Sequence, residues 1–233
     1  MGEEIKIPAK DGSSFMAYMA KPSRLPAPVV IVIQEIFGVN QGLRDKCDWL
    51  ASEGFIAVCP DLFWRLEPGI QLTDKSDAEW KKAFDLMNRF DIAQGIEDLR
   101  ATTHTMKGHA EANGKVGCLG YCLGGKLAYL MAARTAIDAS VGYYGVMIET
   151  LLDEAVNIQT PLMLHIAEED EFVPQEAQQA IKNALAGREN ITLHSYPGLN
   201  HAFTRIGGKH YDSKGAAIAD ERTITFLKET LAA

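Results

Sequence analysis

Residues 28–34, PVVIVIQ, form an unbroken β-branched run without polar alternation. Such a run predicts a strand covered on both faces, as in a parallel sheet. Ahead of it EEIKIPA alternates apolar and polar positions, a DG pair stands at Asp11-Gly12, and FMAYMAK resumes the alternation. That pattern predicts an N-terminal hairpin. A helical pattern at 40–52 leads to a second continuous strand, FIAVCP at 55–60. Asp, Pro and Gly then break up 61–75, which reads as an irregular loop holding Phe63 and Trp64. Two helical segments fill 76–107, the second with Ile92, Ile96, Leu99 and Thr103 at helical spacing.

The second half repeats the alternation of elements. KVGCLG (115–120), ASVGYYG (139–145), TPLMLHIA (160–167) and ITLHSY (191–196) read as strands. Helices are expected over 122–134, after Pro174, and over 213–231; Val173, Ala177, Ile181 and Leu185 fall on one face of the middle one. No internal repeat or low-complexity linker interrupts the chain. Strand–helix alternation predicts one α/β domain over 1–233, with a mostly parallel central sheet, helices on both faces and the antiparallel hairpin at its start.

Composition narrows the class. A chain of 233 residues, 47% hydrophobic and 23% charged, can bury a sizeable single core. A net charge of −8 argues against a nucleic-acid footprint. The start, MGEEIKIPAKDG, lacks a signal-peptide pattern, and Lys6 stands where a myristoylation motif wants Ser or Thr. No apolar run approaches the ~18 residues of a membrane span. Cys47, Cys59, Cys118 and Cys122 do not resemble a disulfide framework. A cytoplasmic protein is expected, with no nucleic-acid or membrane partner; a monomer is expected, a dimer being the alternative.

The chemistry lies in GYCLGG, Gly120–Gly125. A strand, then G-x-C-x-G, then a helix is the context of a hydrolase nucleophile elbow. The glycines permit the tight turn, and the helix N-terminus favours a thiolate at Cys122. The N–H of Leu123 becomes an oxyanion donor. A small buried cysteine at a strand–helix turn would look the same in the hexapeptide alone. An elbow further demands an acid after a later strand and a histidine after the last one. The loop EEDEFVP offers Glu168, Glu169, Asp170 and Glu171, and PGLNHAF offers His201. Asp170 is chosen for its short arm just ahead of Phe172-Val173-Pro174. His165 and His194 lie within strands, and His210 sits in a polar loop. The strand ending at Gln34 runs into Glu35-Ile36-Phe37-Gly38, where this fold places its second oxyanion donor, the N–H of Ile36. Glu35 is an unusual acid beside an apolar strand end, a helix cap or surface acid being its ordinary reading. The C-x3-C spacing of Cys118 and Cys122 is no redox motif, and no nearby His or Cys pair has metal-ligand spacing.

With these residues in place the chain resembles the dienelactone hydrolase (carboxymethylenebutenolidase) family of the α/β-hydrolase fold. The likeness rests on QEIFGVN, CPDL, GKVGCLGYCLGG, VGYYG, EFVP and NHAF. It implies Cys122 as nucleophile, Asp170 and His201 as the rest of a triad, Leu123 and Ile36 as oxyanion donors, and Glu35 as acceptor of the thiol proton. It also implies a small lactone or ester substrate, bound with help from Arg205 and Tyr144, and no cofactor or metal. An arginine of the family pattern is replaced by Trp80, beside Lys81, and an aromatic position by Phe84; this departure concerns the substrate. A general carboxylesterase or thioesterase with the same triad is the alternative, as is an idle thiol-sensing or binding protein of this fold.

Overall fold

The computed structural model describes residues 2–232. They fall into two compact units, one running to Gly117 and the other Cys118–Ala232. In the first, β1 (Glu3–Pro8) and β2 (Ser14–Ala20) pair antiparallel, with Glu3 opposite Met19 and Pro8 opposite Ser14. This is the hairpin that the alternation predicts. Next, β4 (Ile56–Pro60) pairs antiparallel with β2 and parallel with β3 (Ala27–Ile33). Val29 to Ile33 of β3 are fully buried, as a strand covered on both faces requires.

Helix α1 (Gln41–Ser52) starts at Asn40, whose side chain accepts from the Leu43 N–H at 3.2 Å. In α2 (Asp77–Arg89) the cap is Ser76, which accepts from the Glu79 N–H and donates to the Glu79 carboxylate; each contact satisfies a helix-end donor or fixes its partner. Helix α3 (Ile92–Lys107) departs from the expected stripe: Ile96, Leu99, Thr102 and Met106 are buried, whereas Ile92 and Thr103 are partly open. Asp98 also lies on the buried face. It accepts from Trp64 at 2.8 Å and from both Nε and Nη2 of Arg65, which anchors the irregular loop.

Strand β5 (Ala112–Tyr121) begins in the first unit and ends in the second. There β6 (Ala139–Tyr143) pairs parallel with β7 (Leu162–Ala167), and β7 with β8 (Ile191–Tyr196). The expected 139–145 strand stops at Tyr143 because Tyr144 takes φ 38°, outside extended backbone. Helices α4 (Leu123–Arg134), α5 (Gln175–Leu185) and α6 (Ser213–Thr230) follow β5, β7 and β8 in the chain. Val173, Ala177, Ile181 and Leu185 are all buried, as their spacing predicts. Between β6 and β7 lies an element that the sequence pattern does not predict, a 3₁₀ segment at Ile148–Asn157 broken at Leu151.

Candidate active site

Cys122 is the single residue between β5 and α4, with φ 55° and ψ −113°. A non-glycine residue held there stores on the order of 1–3 kcal/mol of backbone strain. Its surroundings hold it. The Cys122 N–H donates to Tyr143 O at 3.0 Å, and its carbonyl accepts from Lys126 at 3.2 Å and Val146 at 3.4 Å. The glycines are steric necessities. A Cβ on Gly120 would overlap the Gly124 carbonyl, and one on Gly125 would lie 2.6 Å from Tyr143 O. The turn therefore closes only with these residue types.

The acid and the histidine arrive from the loops after β7 and β8. His201 Nδ1 lies 3.0 Å from Asp170 Oδ1 and 2.9 Å from Oδ2. The two loops are laced by their backbones: Glu169 N–H donates to Leu199 O at 2.9 Å, and Asn200 Oδ1 accepts from the N–H groups of Glu171 and His201. The other side of the imidazole is hydrogen-bonded to the Cys122 side chain. Because Nδ1 is taken by Asp170, that contact belongs to Nε2. All three side chains are buried, Cys122 at 8%, Asp170 at 7% and His201 at 4% exposure.

Burial opposes a charge on His201, yet its pKa is pushed up to about 10. The Cys122 charge, hydrogen bonds from Asp170 and Cys122, and the Asp170 charge together outweigh the burial. Two aromatic rings meet the imidazole edge to face, Tyr144 with centroids 5.0 Å apart and Phe172 at 4.8 Å. Tyr144 is fixed in turn by a 2.7 Å hydrogen bond between its hydroxyl and that of Thr204.

The competing groups are engaged elsewhere. Glu169 and Glu171 are exposed, and Glu168 lies 3.6 Å from Lys182. His165 places Nδ1 2.7 Å from the Tyr196 hydroxyl and Nε2 2.9 Å from that of Thr223. Burial, with His194 and Arg222 nearby, pushes its pKa well below the ordinary imidazole value. His210 sits 3.3 Å from Glu171. Cys118 donates to the Ser140 hydroxyl at 3.3 Å, and burial pushes its thiol up to about 12 against two hydrogen bonds that lower it. It stays a thiol at any physiological pH. Among the described residues no group of three or more His, Cys, Asp or Glu side chains is placed to hold a metal ion. No helix among them is long and apolar enough to cross a membrane.

A model of the family described as "Dienelactone hydrolase family" matches residues 15–231, and so spans both units. The chain belongs to the dienelactone hydrolase family. Its ester-hydrolase class and α/β-hydrolase fold follow from that membership. A relative from Azospirillum brasilense, named "Putative carboxymethylenebutenolidase", is 50% identical over 98% of this chain and 99% of its own. The carboxymethylenebutenolidase of Pseudomonas putida is 39% identical over 97% and 95%. A crystal structure from Klebsiella pneumoniae, named "Putative Dienelactone Hydrolase", superposes with a TM-score of 0.87 at 28% identity, covering 98% of both chains.

The remaining residues that the dienelactone hydrolase resemblance singles out are placed as follows. Glu35 is 7% exposed, so it is not the surface acid of its ordinary reading. Ile36 is buried in the turn after β3. Trp80 donates its indole N–H to Asp74 O at 3.2 Å, stacks on Phe84 at 5.6 Å and meets Phe37 edge-on at 5.0 Å. Trp80 thus lies in an apolar cluster, and Lys81 beside it is exposed. Arg205 is half-buried, its N–H held by Ala202 O at 2.9 Å. The sequence marks neither Phe172, which packs on the imidazole, nor Thr204, which holds the Tyr144 hydroxyl, as a site residue.

Proposed function

We propose that this dienelactone hydrolase family member opens lactones and enol esters through an acyl-cysteine intermediate on Cys122. The observation that carries the reading is the hydrogen-bonded run from Cys122 through His201 to Asp170 at a strained elbow. Asp170 fixes the imidazole tautomer and stabilises its charged form. The Cys122 thiolate adds to the carbonyl carbon, and the Leu123 N–H at the head of α4 receives the developing oxyanion. As the ring C–O bond breaks, the leaving oxygen takes the proton from His201 Nε2. Water then gives a proton to that nitrogen and attacks the thioester; the C–S bond breaks, the acid departs, and thiolate and imidazolium are restored. The family resemblance adds Ile36 as second oxyanion donor and Glu35 as the base that takes the proton of a resting Cys122 thiol when substrate binds, so that the thiolate–imidazolium pair is the attacking form and not the resting one. Glu35→Gln tests the latter.

Trp80 in place of a cation weakens the preference for anionic substrates, leaving Arg205 to meet a substrate carboxylate. Loss of one charge-assisted contact is worth roughly 1.5–3 kcal/mol, about 10- to 150-fold in kcat/KM. The test is a panel of dienelactones, their methyl esters, neutral lactones, aryl esters and thioesters, run on the parent, Cys122→Ala, His201→Ala and Arg205→Ala proteins. Turnover should fall by orders of magnitude in the first two variants, because the pair acts as a unit. What preference there is for a free acid over its methyl ester should be weak and vanish in Arg205→Ala. Full turnover in Cys122→Ala would make another nucleophile the better reading, and a parent that turns over nothing on the panel would leave the idle sensor. A panel that favours thioesters or aryl esters would select the general esterase alternative.

A further inference from the structure

Phe172 is an exposed large apolar side chain, 42% open to solvent. Scattered exposed apolar residues need no explanation, but this one packs on the imidazole, with centroids 4.8 Å apart and planes at 75°. Its backbone N–H donates to Asp170 Oδ1 at 2.8 Å, the same carboxylate that holds His201. Asp170 thus holds the His201 ring and the Phe172 backbone together. The other ring on the imidazole, Tyr144, is 3% exposed and has its hydroxyl committed to Thr204. Of the two, Phe172 is the one open to a substrate.

We propose that Phe172 is the wall on which the leaving-group side of the substrate packs, and that it selects apolar leaving groups. The inference rests on the triad reading above. His201 Nε2 delivers the proton to the leaving oxygen, so that oxygen must come within about 2.6–3.2 Å of it. Whatever is bonded to that oxygen then lies within a bond length or two of the imidazole, beside the Phe172 ring. The acyl side has no such obligation. It is held by its carbonyl carbon at Cys122 and by its oxygen at the Leu123 N–H. In a lactone the leaving side is the part of the ring beyond the ring oxygen; in an open ester it is the alcohol.

The two steps of the reaction separate this role from a general one. The leaving group is present during acylation and gone during deacylation, whereas His201 serves both. Ethyl, butyl and hexyl acetates have leaving alcohols of similar acidity, so chain length isolates contact. Burying two more methylenes should raise kcat/KM by up to about 15-fold from ethyl to butyl in the parent. Phe172→Ala should flatten that series and leave an ethyl acetate, butyrate and hexanoate series parallel to the parent. Phe172→Leu, which keeps apolar bulk, should retain most of the slope. By burst and single-turnover kinetics with an aryl ester, Phe172→Ala should slow acylation about tenfold and leave deacylation within about twofold. An unchanged alcohol slope in Phe172→Ala, or equal losses in the two steps, would overturn the proposal; equal losses would mean that Phe172 acts only by positioning His201. Turnover surviving in a parallel Cys122→Ala sample would instead overturn the triad reading, whatever Phe172 does.

Discussion

An imidazole as buried as His201, at 4% exposure, would ordinarily titrate below its free value, yet here it stays charged up to about pH 10. The difference comes from Cys122 and the Asp170 carboxylate held against it, and it makes a residue-scale prediction. The basic limb of the kcat/KM profile should fall near pH 10 and not near 6.5, the ordinary imidazole value. In Cys122→Ser the partner charge is gone, because a serine hydroxyl is far harder to ionise than a thiol of free pKa about 8.5. His201 should then titrate lower, followed by imidazole NMR, and most activity should be lost despite the near-isosteric change. A His201 titration that does not move between parent and Cys122→Ser would remove the thiolate from this account. Asp170 was separable from its acidic neighbours in the sequence by arm length and by its place ahead of Phe172-Val173-Pro174. What the sequence could not show is that Glu169 and Glu171 point to solvent, because four consecutive acids share one composition and differ only in direction.

At the scale of elements, the elbow and a helix give glycine opposite meanings. Gly120 stands where any Cβ meets the backbone carbonyl of Gly124, which cannot swing aside as a side chain would. Gly120→Ala should cost at least the roughly 1–3 kcal/mol of overpacking and lower activity further by displacing Cys122. Gly42 lies inside α1, where an added Cβ would meet only Asn40 Oδ1 at 3.5 Å, an ordinary contact. Gly42→Ala should stabilise by up to about 1 kcal/mol through helix propensity. Urea midpoints for the two variants should move in opposite directions; movement in one direction would break the steric argument. Both glycines were visible in the sequence, but only the elbow motif distinguished them. The 3₁₀ segment Ile148–Asn157 has no such motif; Ile148, Leu151, Leu152, Ala155 and Val156 do stand at helical spacing, but the backbone breaks at Leu151, so a short period of this kind does not announce the element by itself.

For the molecule as a whole, two buried histidines bound the pH range of stability from opposite sides. His201 has a folded pKa above its unfolded value, so its contribution is complete below about 6.5 and fades as pH rises toward about 10. His165 has a folded pKa well below the unfolded value. Its neutral form is required between Tyr196 and Thr223, so stability falls as pH drops below about 6.5, where only the unfolded chain takes up the proton. The slope from His165 is up to about 1.4 kcal/mol per pH unit. Urea unfolding at pH 7, 6 and 5 should show the parent weakening more steeply than His165→Gln, whatever their absolute stabilities. Equal slopes would mean that His165 is not the proton acceptor.

By itself the sequence determined the order and type of nearly every element, the strand–turn–helix context of Cys122, and the chain order of an acid and a histidine that an elbow requires. Those are properties of local pattern: period, β-branching, turn residues and spacing are set within a few residues of one another. Only the tertiary structure decided that β6 ends at Tyr143, that Asp98 is buried among Trp64 and Arg65, and that Glu169 and Glu171 turn to solvent while Asp170 comes within 2.9 Å of His201. It alone brought Tyr144 and Phe172 onto the imidazole. Each of these depends on where separate loops converge and which way a side chain turns when they do. That is settled by packing between segments distant in the chain, on which hydrophobic period and local propensity carry no information.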